Sequence, residues 1–210
     1  EEVVIDGAVM KMMHSPGFAP ARPITVPFLV AANGPKGVAL ARDHADGLIF
    51  GGPPEAAPQG FAMMQLGASA LLLDEGETPQ SPRILEKARV LLALQYHLAY
   101  DGFHNLDVPL ESLPHGAEWR EMIEAIPERV RHFHLHDHHM TGTSPHDSAF
   151  LDRHPDAVAG FAQQAAMTVE QLRERVRYLS GLGATRISCG GPSVGWERDM
   201  AVYAEALKLL

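Results

Sequence analysis

Residues 27–52 read PFLVAANGPKGVALARDHADGLIFGG, two short apolar runs either side of an alanine-rich segment. The spacing predicts strands over Val26–Ala32 and Gly47–Phe50, with a helix over Lys36–Ala45 whose first residue is Pro35. Each predicted strand runs straight into a glycine turn, Asn33-Gly34-Pro35 after the first and Gly51-Gly52-Pro53 after the second. Strand, helix, strand at this spacing is the rhythm of a parallel sheet. In such sheets ligands collect at the carboxyl ends of the strands, where loops expose backbone N–H groups. Two adjacent glycine turns there make a cradle for an anion, most simply a phosphate.

The rhythm extends in both directions and is then interrupted. Before it, Val3–Ile5 predicts a short extended piece ending at Asp6-Gly7, followed by a connector broken by Pro16, Pro20 and Pro23. After it, an apolar helix from about Glu55 to Leu66 is expected to lead into a third strand, Ser69–Leu73, ending at Asp74-Glu75-Gly76. Ser81-Pro82 is a helix start, a cap followed by proline at the first helical position, and apolar residues continue at helical spacing towards Gly102. Further helices are expected over Gly116–Ile126 and after Pro127. Residues 82–167 therefore read as a helical insertion, far longer than an ordinary βα-loop. Thr168 and Gln171 form a capping box ahead of a helix with Leu172, Val176 and Leu179 on one face. A fourth strand, Ala184–Cys189, the turn Gly190-Gly191-Pro192 and a closing helix, Glu197–Leu209, complete the pattern.

The expected fold is α/β, a single domain over residues 1–210: four parallel βα units, half of a (β/α)8 barrel of the TIM type, plus the insertion. Half a barrel leaves two sheet edges unpaired, which soluble proteins avoid. Either a second copy in a homo-oligomer supplies the missing strands, or they lie in a missing N-terminal segment. The opening EEVVIDGAVM, without an initiator methionine, reads as a piece of something longer.

Charge and cysteine content narrow the function. A net charge of −9 argues against nucleic acid or an anionic membrane as the main partner. The single cysteine, Cys189, excludes an internal disulfide and any multi-cysteine zinc site. No signal peptide or span of about 20 apolar residues is recognisable, so a soluble cytoplasmic protein is expected.

The stretch from Pro27 to Gly52, the blocks LPHGAEWREMIEAIPE (Leu113–Glu128) and RHFHLHDHHM (Arg131–Met140), and TVEQLRERVRYLSGLGATRIS near the end resemble the luciferase-like monooxygenase superfamily of flavin- or deazaflavin-dependent oxidoreductases. The resemblance implies that residues 26–189 supply the last four strands of a (β/α)8 barrel. It also implies a cofactor, FMN or a deazaflavin (coenzyme F-420), at the carboxyl ends of those strands, and a small organic substrate. Carried over residue by residue, it places Ala32, Asn33 and Gly34 in one cofactor turn and Gly51 and Gly52 in the next. Some relatives carry a hydroxyl residue in the second turn, where this chain has Gly-Gly, so contact there would be through backbone. The family's first four strands, with much of its ring pocket and several candidate catalytic groups, have no counterpart in this sequence. Two alternatives belong to other classes: a non-catalytic flavin-binding half-barrel that dimerises, and a metal-dependent hydrolase built on the histidines.

Those histidines are the other conspicuous feature, since seven of the twelve lie between His132 and His154. On a strand His132, His134, His136 and His138 would share a face. On a helix His132 and His136 stand at i, i+4 with His139 a further turn along, a spacing suited to zinc, although a catalytic site also needs a third fixed ligand. Structural hydrogen bonding, or a polar wall near the pocket, is the simpler role for them. Asp74 and Glu75, following the expected third strand, are the candidate catalytic carboxylates. His97, Tyr100 and Asp101 end the long helix, where Asp101 reads mainly as a solvated terminus. Asp46 is expected to order the turn into its strand, Cys189 to be a small core residue, and Met12-Met13 and Met63-Met64 to be apolar filling.

Overall fold

The computed structural model describes residues 2–11, 26–101, 109–139, 141–189 and 195–208. The Pro16–Pro23 connector, Met12-Met13, Gly102 and the Gly190-Gly191-Pro192 turn lie outside the described residues. The chain begins with an antiparallel hairpin, β1 (Glu2–Ile5) and β2 (Ala8–Lys11). Its turn is Asp6-Gly7, and both residues have positive φ (52° and 80°), the combination that matches the twist of a two-residue hairpin.

The central element is a four-stranded, wholly parallel sheet of β3 (Leu29–Ala31), β4 (Gly47–Ile49), β5 (Met63–Gly67) and β8 (Arg186–Ser188), in that spatial order. The order follows the chain without reversal, as in a segment of a barrel, whereas doubly wound sheets reverse at a switch point. Helix α1 (Pro35–His44) joins β3 to β4 and buries Ala41, with Pro35 at its start. Asp46 holds the next strand in register: its backbone N–H donates to Phe28 O at 2.8 Å, and its carboxylate accepts from Phe28 N–H at 2.7 Å.

Two expectations fail after β4. No helix spans Glu55–Leu66; a single 3-10 turn, Pro54–Ala56, is followed by the strand β5. Pro53, Pro54 and Pro58 lack the N–H that a helix needs, and Gly60 sits at φ 87°. The third sheet strand is therefore Met63–Gly67, and the run expected to fill that place contributes only β6 (Leu71–Leu72), outside the four-stranded sheet.

β6 pairs in parallel with β7 (Ala166–Met167). This pair is the foot of the insertion, which leaves from the carboxyl end of β5 and returns into α7 (Val169–Gly181). Between them lie α2 (Pro82–Tyr100), α3 (Gly116–Glu124), α4 (Glu128–Leu135), α5 (Pro145–Arg153) and α6 (Pro155–Ala165). The insertion has its own core around Tyr96, Trp119, Ile123 and Phe150. A second core, including Leu48, Met64, Leu66, Leu172 and Tyr203, lies between the sheet and its helices, the last of which is α8 (Trp196–Leu207). The capping box at Thr168 is complete: Thr168 Oγ1 accepts from Gln171 N–H at 3.2 Å, and Gln171 Oε1 accepts from Thr168 N–H at 2.8 Å.

Among the described residues no helix is long and apolar enough to cross a membrane.

Candidate functional site

Two places gather chemistry-bearing residues, and the first is the carboxyl edge of the parallel sheet. Ala32 extends the β3–β4 ladder by donating its N–H to Ile49 O at 3.0 Å. One residue on, Asn33 Oδ1 accepts a 2.6 Å hydrogen bond from the N–H of Gly51, tying the turn after β3 to the turn after β4. The five residues expected to form a cofactor cradle, Ala32, Asn33, Gly34, Gly51 and Gly52, are thus brought together at the ends of adjacent strands.

The same geometry accounts for both glycines of the second turn by packing. A Cβ on Gly51 would lie 3.3 Å from the Asn33 amide, and one on Gly52 would lie 2.7 Å from the Phe50 ring. The Gly51 N–H is engaged by Asn33 and is not free to meet an anion. Donors still available at this edge include the Asn33 amide NH2 and the N–H groups of Lys36 and Gly37, which helix geometry leaves without intrahelical acceptors.

Asp74 and Glu75 do not end a strand of this sheet. They follow β6, outside the four-stranded sheet. Asp74 forms an ion pair with Arg198 of α8 and lies 3.5 Å from Arg83 of α2. Arg83 also pairs with Glu77, and Lys87 with Asp199, so this network fastens the insertion to α8. The Arg83 hydrogen bond to Glu77 outweighs the small burial cost and holds the Glu77 carboxyl down at about 2. Glu75 is exposed. Cys189, half-buried in the core beside the sheet, has its thiol pushed up by burial, which keeps it protonated.

The second place is inside the insertion. His97 is almost fully buried one turn before the end of α2. Its Nε2–H donates to Asp147 Oδ2 at 2.9 Å. Asp147, on the first turn of α5, also accepts from Ser144 Oγ–H at 2.7 Å and from Trp119 Nε1–H at 3.0 Å. Burial alone would raise the Asp147 carboxyl, but the hydrogen bonds it accepts from His97, Ser144 and Trp119 hold it below its ordinary value.

On its other side, His97 Nδ1 lies 3.3 Å from Nδ1 of His139. His136 caps α4, with its Nε2 3.5 Å from Asp101 Oδ2. The chain then turns through His138, whose left-handed backbone (φ 55°) leads His139 back beside His136. His97, His136 and His139 each offer a ligand atom within 4.8 Å of the others. His132, expected to pair with His136 along one helix face, is exposed and lies beside Phe133 with the two rings tilted at 43°; no metal-competent cluster among the described residues includes it. The helix ends at Leu135, so the i, i+4 face is not continued to His139. The third histidine comes instead from α2, a partner that no local spacing indicates. Asp147 carried a weak local signal, the Ser144-Pro145 start with an acidic residue three positions after the cap.

A second grouping, His115, Glu118 and His154, differs in kind. His115 Nε2 lies 3.0 Å from Asp156 and His154 Nε2 2.9 Å from Glu118, and the two rings stack with centroids 4.0 Å apart.

No family model matches this chain, and no match is found among curated proteins or solved structures.

Proposed function

We propose that this chain is the C-terminal part of a flavin- or deazaflavin-dependent oxidoreductase of the luciferase-like class, acting on a small organic substrate. The observation that carries the reading is the bridge from Asn33 Oδ1 to Gly51 N–H. It joins two strand-end turns of a parallel sheet whose order never reverses, the place where barrel enzymes assemble their sites. The sheet has the topology expected of part of a barrel. Its outer strands, β3 and β8, are the edges that further strands would extend, from adjoining sequence or from a second copy.

The residues present suit the phosphate end of the cofactor. The N-terminus of α1 favours an anion. Lys36 and Gly37 N–H and the Asn33 amide are the donors, while Gly51 and Gly52 keep the second turn low enough for close approach. When bound, reduced FMN or deazaflavin supplies a hydride, and FMN with dioxygen also supports monooxygenation. The insertion leaves the sheet at Ala68–Ala70, at the same edge, and in this reading it serves as the lid that excludes water from the site. Asp74 and Glu75 are given no part in the chemistry, because Asp74 is committed to the ion pairs with Arg83 and Arg198.

The test is titration of FMN and of the deazaflavin, followed by fluorescence and visible absorbance, against the protein encoded by the complete reading frame. One of the two cofactors is expected to bind, and Asn33→Ala is expected to weaken it at least tenfold. Turnover with reduced cofactor distinguishes an enzyme from a flavin-binding scaffold. Binding of neither cofactor to a protein carrying all eight strands overturns the reading.

A further inference from the structure

Outside the proposed cofactor edge, the insertion holds a set of side chains that this function does not use. We infer that His97, His136 and His139 bind one divalent transition metal ion, of which zinc is the best fit, with Asp147 as the residue that orients His97.

Four features of the geometry argue for this. Two nitrogens bound to one tetrahedral zinc, each about 2.0–2.1 Å from the metal, stand about 3.3–3.4 Å apart. His97 Nδ1 and His139 Nδ1 are 3.3 Å apart. The second feature is the tautomer of His97. Its Nε2–H is committed to the Asp147 carboxylate, so the lone pair of the neutral ring is on Nδ1, facing His139.

The third is the immobility of Asp147. Trp119 and Ser144 occupy it from two further directions in a buried setting, so the carboxylate fixes both the tautomer and the orientation of the ring. A carboxylate behind a ligating histidine is the usual support of an imidazole–metal bond. The fourth is the arrangement of the third ring. His136 stands edge-on to both His97 and His139, at 83° and 80°, with the three ligand atoms within 4.8 Å.

A three-nitrogen set suits zinc and its first-row neighbours rather than magnesium or calcium. Three protein ligands leave the fourth position of a tetrahedral ion open. The ion would clasp the end of α2 to the turn between α4 and α5. The cluster at His115 and His154 lacks these features, since each histidine has its Nε2 against a surface carboxylate.

Chelator-stripped protein titrated with zinc alone, by calorimetry and by metal analysis after dialysis, tests this. One equivalent is expected to bind, with the affinity reduced at least tenfold in His136→Ala and in His139→Ala. The double variant His132→Ala/His134→Ala, removing two exposed histidines of the same segment, is expected to bind as the parent does. Cobalt in place of zinc is expected to give the intense visible bands of a four-coordinate site, absent in His139→Ala. Asp147→Asn is expected to lose about 10–100-fold in affinity. Should that variant fail to fold, the partly exposed His136 and His139 decide the question, with circular dichroism confirming that they remain folded. Unchanged binding in His136→Ala and His139→Ala, or an equal loss in the His132/His134 variant, overturns the inference and marks the zinc as adventitious.

Discussion

Leu71 and Leu72 are neighbours in the chain, yet they bury their side chains in different hydrophobic cores, Leu71 with Tyr96 and Trp119 and Leu72 with Leu48 and Leu66. Successive residues of a strand point to opposite faces, and β6 uses that alternation to join the insertion to the sheet. Truncating either leucine to alanine is expected to cost about 2–5 kcal/mol in urea unfolding, the range for a buried leucine. The two variants should differ under hydrogen exchange, Leu71→Ala loosening α2 and Leu72→Ala loosening β4 and β5. Identical exchange patterns would count against two separate cores.

The Asp147 carboxylate satisfies three buried donors, from His97, Ser144 and Trp119. Asp147→Ala leaves all of them without their acceptor in an apolar surround. The expected loss is at least about 3 kcal/mol, since each buried donor left unsatisfied costs about 1–3 kcal/mol. Asp147→Asn, which keeps an acceptor, should lose less. Thermal unfolding in the presence of a chelator, to hold metal occupancy at zero, makes the comparison; a cost below about 1 kcal/mol in the alanine variant would show the network to be slack.

Acid stability should report on Glu77. Its folded value, about 2, lies below the ordinary 4.5, so the folded state holds fewer protons than the unfolded chain between these values. Its contribution is present in full above about 4.5 and is lost as the pH falls towards about 2. Glu77→Gln removes that dependence: the melting temperature of the variant is expected to fall less steeply than that of the parent across this window. Parallel curves would assign the acid sensitivity to other groups.

The capping box on α7 offers a local test. Thr168→Ala removes the side-chain acceptor for Gln171 N–H, and a loss of about 1 kcal/mol is expected. Because Gln171 returns a hydrogen bond to Thr168 N–H, the two positions should be coupled in a double-mutant cycle with Gln171→Ala. Strict additivity would argue that the two bonds form independently.

What could be read in advance divides along the range of the interaction responsible. The capping box at Thr168 and the proline start of α1 are governed by residues close in sequence, and both appear as the residues imply; Asp46 orders the entry to its strand through Phe28, 18 positions away. The strand at Met63–Gly67 is different. Met-Met-Gln-Leu carries no β-branched residue, and its extended form is set by pairing with Gly47–Ile49 on one side and Arg186–Ser188 on the other. The two glycine turns lie at the ends of adjacent strands, as the strand–turn pattern implied, but that Asn33 would take up the Gly51 N–H depended on the register between β3 and β4.

The histidines show the same limit more sharply. The sequence by itself determined that imidazoles crowd residues 132–154 and that a turn of α4 brings some of them close. It also determined the parallel βαβ pattern, the long helical insertion and the absence of a disulfide, because periodicity, proline and cysteine count act locally. Only the tertiary structure decided which histidines meet. His97 reaches His139 across 42 positions and Asp147 across 50, because helices α2 and α5 pack around Tyr96, Trp119 and Phe150. Side-chain packing in a shared core, which no spacing along the chain encodes, selected His97 as the third member and left His132 at the surface.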